Sequence, residues 1–390
     1  MTAGVVFLIL GYVLSQFYRA FLAVMTPYLA HDIGASPESL ARASGLWFVA
    51  FALAQLPVGW ALDRIGPRLT AAVPLGLCAG GGTFLFALAQ GPGAITLSMV
   101  LIGLGCAPVL VAAYFIYARE FPPVMFGTLA GLSIGIGNLG NIAGTLPLAW
   151  AVAAFGWRPT VGAVGLVTLL VAAALLRYVR NPAPVPHGET KGTIWGLFRE
   201  PSLWLIAPMM VAGYAPVGDI RGLWVGPLMA DVYHLDAAGI GLISFIMGLA
   251  MVAGNFAYGP LDRLLGSRKW GVFGGNVLAL VCLLVLGFSP GGGLWWVAGW
   301  LAALGFVGSS YPAVMTHGRA FFPSHLVGRG VTLLTLVSIG GTGFLQVVTG
   351  WLHTGFAGPP AAAPYSAIFL FFAVLLALAL AAYLFSADRR

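Results

Sequence analysis

Apolar runs of about 20 residues or more follow one another along the whole chain, separated by short polar or Gly/Pro-rich breaks. The alternation over about 10 residues that marks a barrel strand is missing. The pattern predicts an all-α membrane protein of twelve transmembrane helices, at about 3–30, 38–62, 69–89, 94–118, 124–154, 158–178, 202–230, 238–261, 270–288, 293–316, 326–353 and 364–386. Short turns such as Gln90-Gly91-Pro92-Gly93 and Ser289-Pro290-Gly291-Gly292 punctuate it. The longest hydrophilic segment, Arg180 to Pro201, falls near the middle. It suits a cytoplasmic linker (180–201) between two six-helix bundles, 1–179 and 202–390.

Composition agrees. Hydrophobic residues make up 60% of the chain and charged residues 7%. A soluble domain carries about 25% charged residues, so this chain cannot cover a water-facing surface. The 55 glycines and 25 prolines suit closely packed membrane helices. The net charge of +7 does not signal nucleic-acid binding, because it is distributed by topology. Of the 18 Lys and Arg, 14 fall on one side, Arg42 and Arg158 on the other, and Arg19 and Arg221 within the membrane. The positive-inside rule then puts both termini in the cytoplasm and the protein in the plasma (inner) membrane. The N-terminal apolar run lacks a charged n-region and a cleavage site, and reads as the first membrane helix. Cys78, Cys106 and Cys282 all lie in apolar runs, against a disulfide framework. The lipid bilayer is the expected surrounding, and a monomer the expected state.

Polar landmarks repeat at a fixed distance. Gly59-Trp60-Ala61-Leu62-Asp63-Arg64-Ile65-Gly66-Pro67-Arg68 returns as Gly259-Pro260-Leu261-Asp262-Arg263-Leu264-Leu265-Gly266-Ser267-Arg268. Arg68 and Arg268 are 200 positions apart, as are Arg119 and Arg319, and Pro123 and Pro323; Asp63 and Asp262 are 199 apart. Two separate landmarks at one offset indicate a duplication.

Here the chain resembles the major facilitator superfamily, on the Gly-x-x-x-Asp-Arg-x-Gly-x-Arg loop, its second copy, the basic central loop and the duplicated halves. The resemblance implies transport by alternating access, the halves rocking about a central site. It also implies a cytoplasmic gate role for Gly59, Asp63, Arg64, Gly66 and Arg68, and more loosely for Asp262, Arg263 and Arg268. The predicted fifth helix partly resembles the glycine motif of the superfamily's antiporters. Gly131, Gly140 and Gly144 keep the spacing, but Thr145 stands where a Pro is expected.

Substrate chemistry rests on few residues. Arg19 lies 13 residues before Asp32, and Arg221 lies 10 before Asp231. These separations put them about 20 and 15 Å deep at 1.5 Å per residue, near mid-bilayer. A central Arg costs about 2.5–3.5 kcal/mol on insertion scales, so each is expected to face the protein interior and a partner. A guanidinium fork suits a carboxylate or phosphate, and a small organic anion is the expected substrate. Tyr18, beside Arg19, and Asn141, in the glycine-rich fifth helix, are further substrate-binding candidates. Asp219 is the acid placed deep in the membrane, either a proton-coupling group or the ion-pair partner of an arginine. Pro216, Gly218 and Gly222 predict an irregular helix around it.

Other chemistry finds less support. Met247 and Met251 are one helical turn apart, and thioethers suit Cu(I), yet no His or Cys joins them at i±3 or i±4. The six histidines fall at helix ends or in loops, so no metal site is expected. There is no phosphate-binding Gly-x-x-x-x-Gly-Lys loop. Gly135-Ile136-Gly137-Asn138-Leu139-Gly140 matches a dinucleotide pattern by letter only, inside a membrane helix. No cofactor and no enzymatic activity are expected. Two alternatives stay open: the same scaffold carrying a drug, a vitamin or a metal with structural arginines, and a membrane sensor that does not transport. A coupling proton or counter-anion is compatible with the first reading.

Overall fold

The computed structural model describes residues 3–182, 201–321 and 327–388, without the side chains of residues 123–124, 126–128, 201–203, 259–265 and 327–332. Its regular structure is helical throughout. The chain divides into two compact units: Met1–Pro186 together with Leu235–Leu242, and His187–His234 together with Ile243–Arg390.

The first unit holds α1 (Ala3–Phe17), α2 (Phe21–Ile33), α3 (Pro37–Arg64), α4 (Pro67–Ala87), α5 (Pro92–Glu120), α6 (Pro123–Ala143), α7 (Leu146–Phe155) and α8 (Trp157–Tyr178). Pro37, Pro67, Pro92 and Pro123 open four of these helices, where a missing N–H costs nothing. Ser36 caps α3 by accepting from the Ser39 N–H at 3.1 Å. The predicted first helix is not continuous. It turns at Tyr18–Ala20, where the Arg19 N–H reaches back to the Gln16 carbonyl at 3.3 Å, and α2 leaves α1 at 47°. The predicted fifth helix also breaks, by 41° between α6 and α7. Thr145 leaves the helical region there (φ −114°, ψ −118°), two residues before Pro147.

The two breaks meet. A Cβ at Gly144 would lie 3.1 Å from both the Phe17 carbonyl oxygen and the Ala20 Cβ. One turn earlier Gly140 abuts the Val13 carbonyl, and two turns earlier Gly137 abuts the Tyr12 ring. Small residues let the two backbones approach this closely.

The second unit holds α9 (Pro201–Ala212), α10 (Ala215–Asp219), a π-helical stretch at Ile220–Trp224, α11 (Val225–Tyr233), α12 (Ala237–Leu265) from Ile243 onward, α13 (Arg268–Phe288), α14 (Leu294–Val307), α15 (Tyr311–Arg319), α16 (Val327–Gly355) and α17 (Ala363–Leu384). The irregularity expected around Asp219 is present, with a turn at Gly213–Tyr214 followed by the π stretch. The methionine pair packs: a Cβ on Gly305 would lie 3.2 Å from Cγ of both Met247 and Met251.

Among the described residues nine helices are long and apolar enough to cross a membrane, and the bent pairs α1–α2 and α6–α7 raise the number to eleven. Large apolar side chains such as Leu77, Phe155, Phe256 and Phe288 lie exposed, a surface suited to hydrocarbon and not to water. The chain is a multi-pass membrane protein.

Candidate functional site

The break between α1 and α2 brings Arg19 against α3. Its guanidinium carbon lies 4.8 Å from the Phe51 ring centroid, 5.2 Å from Trp47 and 5.9 Å from Phe48. Trp47, Phe48 and Phe51 occupy one face of α3 at helical spacing, and Trp47 and Phe51 stack at 5.2 Å and 18°. These rings attract a cation through their faces. Arg19 is half-buried, and among the described residues its guanidinium meets no acid and no hydrogen-bond acceptor. Trp47 Nε1 and Gln16 Oε1, both buried, are likewise without a hydrogen-bond partner.

Tyr18 does not join this group. Successive helical residues diverge, and its hydroxyl lies 2.8 Å from Thr168 Oγ1 on α8 and accepts from Thr83 Oγ1 on α4 at 2.7 Å. It is fully buried, and its hydroxyl is already hydrogen-bonded. Asn141 donates to Asn138 Oδ1 at 3.3 Å along α6.

In the second unit Asp219 is fully buried at the end of α10. Gln346 Nε2 on α16 donates to its Oδ1 at 2.9 Å, while Oδ2 and Gln346 Oε1 have no hydrogen-bond partner. The arginine ion pair expected for Asp219 is not formed among the described residues, so its partner is an amide. Arg221 lies in the π stretch and is buried, with Nη1 3.9 Å from where a Cβ on Gly248 would sit. A π turn re-aims side chains away from regular helical directions, a device frequent at functional sites.

Gln346, Thr349 and His353 share one face of α16. Thr349 Oγ1 accepts from Trp224 Nε1 at 3.0 Å, and His353 stacks on the Trp224 ring at 5.2 Å. His353 Nε2 lies 3.3 Å from the Tyr365 hydroxyl, which donates to Asp231. As isolated polar letters in apolar runs, these residues carry no sequence signal of their mutual contacts.

The loop motif is held from within the first unit. Asp63 Oδ1 lies 3.5 Å from Arg119 Nη2 at the end of α5. Arg64, Arg68 and Gly59 are exposed. Gly66 adopts φ +91°, and Asn181, just past α8, fits against it. Asn181 Oδ1 accepts from the Arg68 N–H at 3.1 Å, and its amide donates to the Ile65 carbonyl at 3.3 Å. The second unit builds a counterpart. Asp388, past α17, accepts from Ser267 Oγ at 2.6 Å and from the Lys269 N–H at 3.4 Å, beside Arg268. The side chains of Asp262 and Arg263 lie outside the described residues.

Among the described residues no cluster of His, Cys, Asp or Glu could hold a metal ion, and the three cysteines are free. An apolar recess of about 580 Å³ among α1, α6, α7 and α8 carries no charged lining residue.

A 4-hydroxybenzoate transporter of Pseudomonas putida is 33% identical over 44% of this chain and 38% of its own length. A probable L-galactonate transporter of Escherichia coli K12 is 23% identical over 87% of this chain and 76% of its own. The uncharacterized transporter YybO of Bacillus subtilis 168 is 23% identical over 63% of this chain and 61% of its own, so the chain spans less than two thirds of that relative. Among solved structures, a D-xylose–proton symporter superposes with a TM-score of 0.79 at 13% identity, covering 99% of this chain and 98% of its own. A bacterial homolog of the human lysosomal transporter Spinster, inward-facing and unoccupied, gives 0.76 at 18%, covering 98% and 96%. These structures share the fold. The model of the Major Facilitator Superfamily matches residues 8–225 and again 220–390, nearly the whole chain. The chain belongs to the Major Facilitator Superfamily.

Proposed function

We propose that this chain is a secondary active transporter, working by alternating access, for a small organic anion bearing a carboxylate or phosphate. The observation that carries the reading is Arg19: a half-buried cation, deep in an apolar span, that meets no acid among the described residues. A guanidinium costs too much there to be kept without a task, and its fork matches a carboxylate. Arg221, buried in the π stretch of the second unit, is the second proposed anchor. Asp219 is the proposed proton-coupling group, supported by its burial without a paired cation. The compounds in the names of two relatives, a 4-hydroxybenzoate transporter and a probable L-galactonate transporter, are both carboxylates, which supports the anion.

The scaffold proposed is twelve spans in two six-helix bundles, with the interrupted segment at 201–233 as the seventh. The proposed setting is the inner membrane with cytoplasmic termini, from the asymmetry of Lys and Arg. Gly59, Asp63, Arg64, Gly66, Arg68, Asp262, Arg263 and Arg268 form the proposed cytoplasmic gate. A monomer is proposed, with a proton or counter-anion as the coupled species. No cofactor is part of the mechanism.

Uptake of labelled carboxylates into proteoliposomes tests the reading. Arg19→Lys and Arg221→Lys are expected to insert normally and lose uptake. Near-normal transport by both variants overturns it.

A further inference from the structure

We infer that Asp219 and Gln346 hold a single proton between them, with Gln346 as the positioning residue, a site whose use in transport rests on the coupling role proposed above. It follows from the donors and acceptors present. An ionised carboxylate only accepts, through two oxygens, whereas an amide has N–H donors on one atom and a carbonyl acceptor on the other. Gln346 Nε2 donates to Asp219 Oδ1 at 2.9 Å. That leaves Asp219 Oδ2 and Gln346 Oε1, both buried and both without a hydrogen-bond partner among the described residues. With Asp219 ionised both atoms are acceptors, and two buried acceptors cannot satisfy each other. One proton on Oδ2 turns it into a donor, and the amide oxygen of the same Gln346 is the acceptor that lacks one. The two planar groups then pair as an acid with an amide, through one N–H···O and one O–H···O bond.

The surrounding elements supply no ion-pair partner. Asp219 and Gln346 are both fully buried, and a buried charge is costly without a counter-charge. Among the described residues Asp219 forms no ion pair. The charged residue of its own segment is Arg221, two positions on, and Tyr214 lies in the turn before α10. α9 packs on α10, and α14 meets it where Gly308 approaches Val217; neither helix carries a titratable residue. α12, which meets Arg221 at Gly248, carries none from Ala237 to Ala257. On α16 the nearest is His353, seven residues beyond Gln346. Loss of the proton would leave one hydrogen bond and two unmet acceptors where α10 and α16 touch. Protonation is thereby tied to the contact between two membrane-embedded elements.

The test uses the full-length protein in detergent at neutral pH, read by infrared difference spectroscopy. The carbonyl stretch of a protonated carboxylic acid stands above the amide absorptions. Parent minus Asp219→Asn is expected to show that band, since Asn can still pair with Gln346 but carries no acid. Gln346→Leu is expected to move the band to higher frequency, because the acid carbonyl loses the N–H that it accepts. A band left in place by Gln346→Leu overturns the pair. Absence of any Asp219-dependent band, as for an ionised carboxylate bridged by water, overturns the proton site. The comparison of parent with Asp219→Asn decides this even where Gln346→Leu fails to fold. Uptake under an imposed pH gradient separates the two readings. A band present while Asp219→Asn keeps the parent's acceleration overturns the coupling role and leaves the proton site standing.

Discussion

Asp63 and Arg119, at the ends of α3 and α5, face each other across 3.5 Å inside one unit. The resemblance to the superfamily implies that the motif aspartate works between halves, whereas here its ion-pair partner belongs to its own half. The pair is open to solvent, with the Asp63 side chain 55% exposed, and such pairs contribute about 0–1 kcal/mol. Its value is then positional. Asp63→Asn and Arg119→Gln are each expected to leave the melting temperature within about 2 °C of the parent and to slow uptake several-fold. The double variant should be no slower than either single one. Initial rates in proteoliposomes check this, and additive losses would show that the two residues act separately.

The motif glycines differ in what they do. Gly66 sits at φ +91°, and a Cβ there would come 2.5 Å from Asn181 Cγ. Gly59 is helical, with no neighbour within 4 Å of a Cβ. Gly66→Ala is expected to cost about 1–3 kcal/mol in backbone strain, and Asn181→Ala about 1 kcal/mol through its two lost hydrogen bonds. Gly59→Ala is expected to be neutral or to stabilise by about 0.5–1 kcal/mol. Thermal melting in detergent ranks the three. A Gly66→Ala protein as stable as the parent would mean that the loop adopts another conformation.

The glycine pattern of α6 divides in the same way. Gly140 abuts the Val13 carbonyl, while Gly131 is exposed with open space around it. Gly140→Ala pushes α1 and α6 apart one turn before both helices break, and overpacking of this kind costs about 1–3 kcal/mol. Gly131→Ala should stay within about 0.5 kcal/mol of the parent. Equal melting temperatures for the two variants would refute the interface.

Hydropathy alone delimits most of the helices, because a membrane span needs a long apolar run and little else. The irregular segment around Asp219 is also legible, since Pro216, Gly218 and Gly222 sit together there. The break at Tyr18–Ala20 is not legible, because no Gly or Pro marks it; it arises where Gly144 of α6 approaches Phe17 and Ala20. The same break separates two adjacent candidates, sending Arg19 to the aromatic face of α3 and Tyr18 to Thr83 and Thr168. Asn181 and Gln346 look like ordinary polar letters in the sequence. Their partners lie 113 and 127 positions away, a distance at which neither periodicity nor motif carries information.

Gln346 and Asp219 permit the sharpest separation of structure from coupling. The Gln346 amide is the only hydrogen-bond partner of the buried Asp219 carboxyl among the described residues. Gln346→Leu leaves that carboxyl unmet and is expected to destabilise by about 1–3 kcal/mol. Asp219→Asn keeps the shape and can still accept from Gln346, so its melting temperature should stay close to the parent. The transport assays then divide. With Asp219 as the coupling group, Asp219→Asn should still exchange labelled substrate between equal concentrations inside and out. It should lose the acceleration that an imposed pH gradient gives the parent. Exchange and gradient-driven uptake falling together would instead make Asp219 a part of the binding site, since a residue that only passes protons is not needed when no net proton moves.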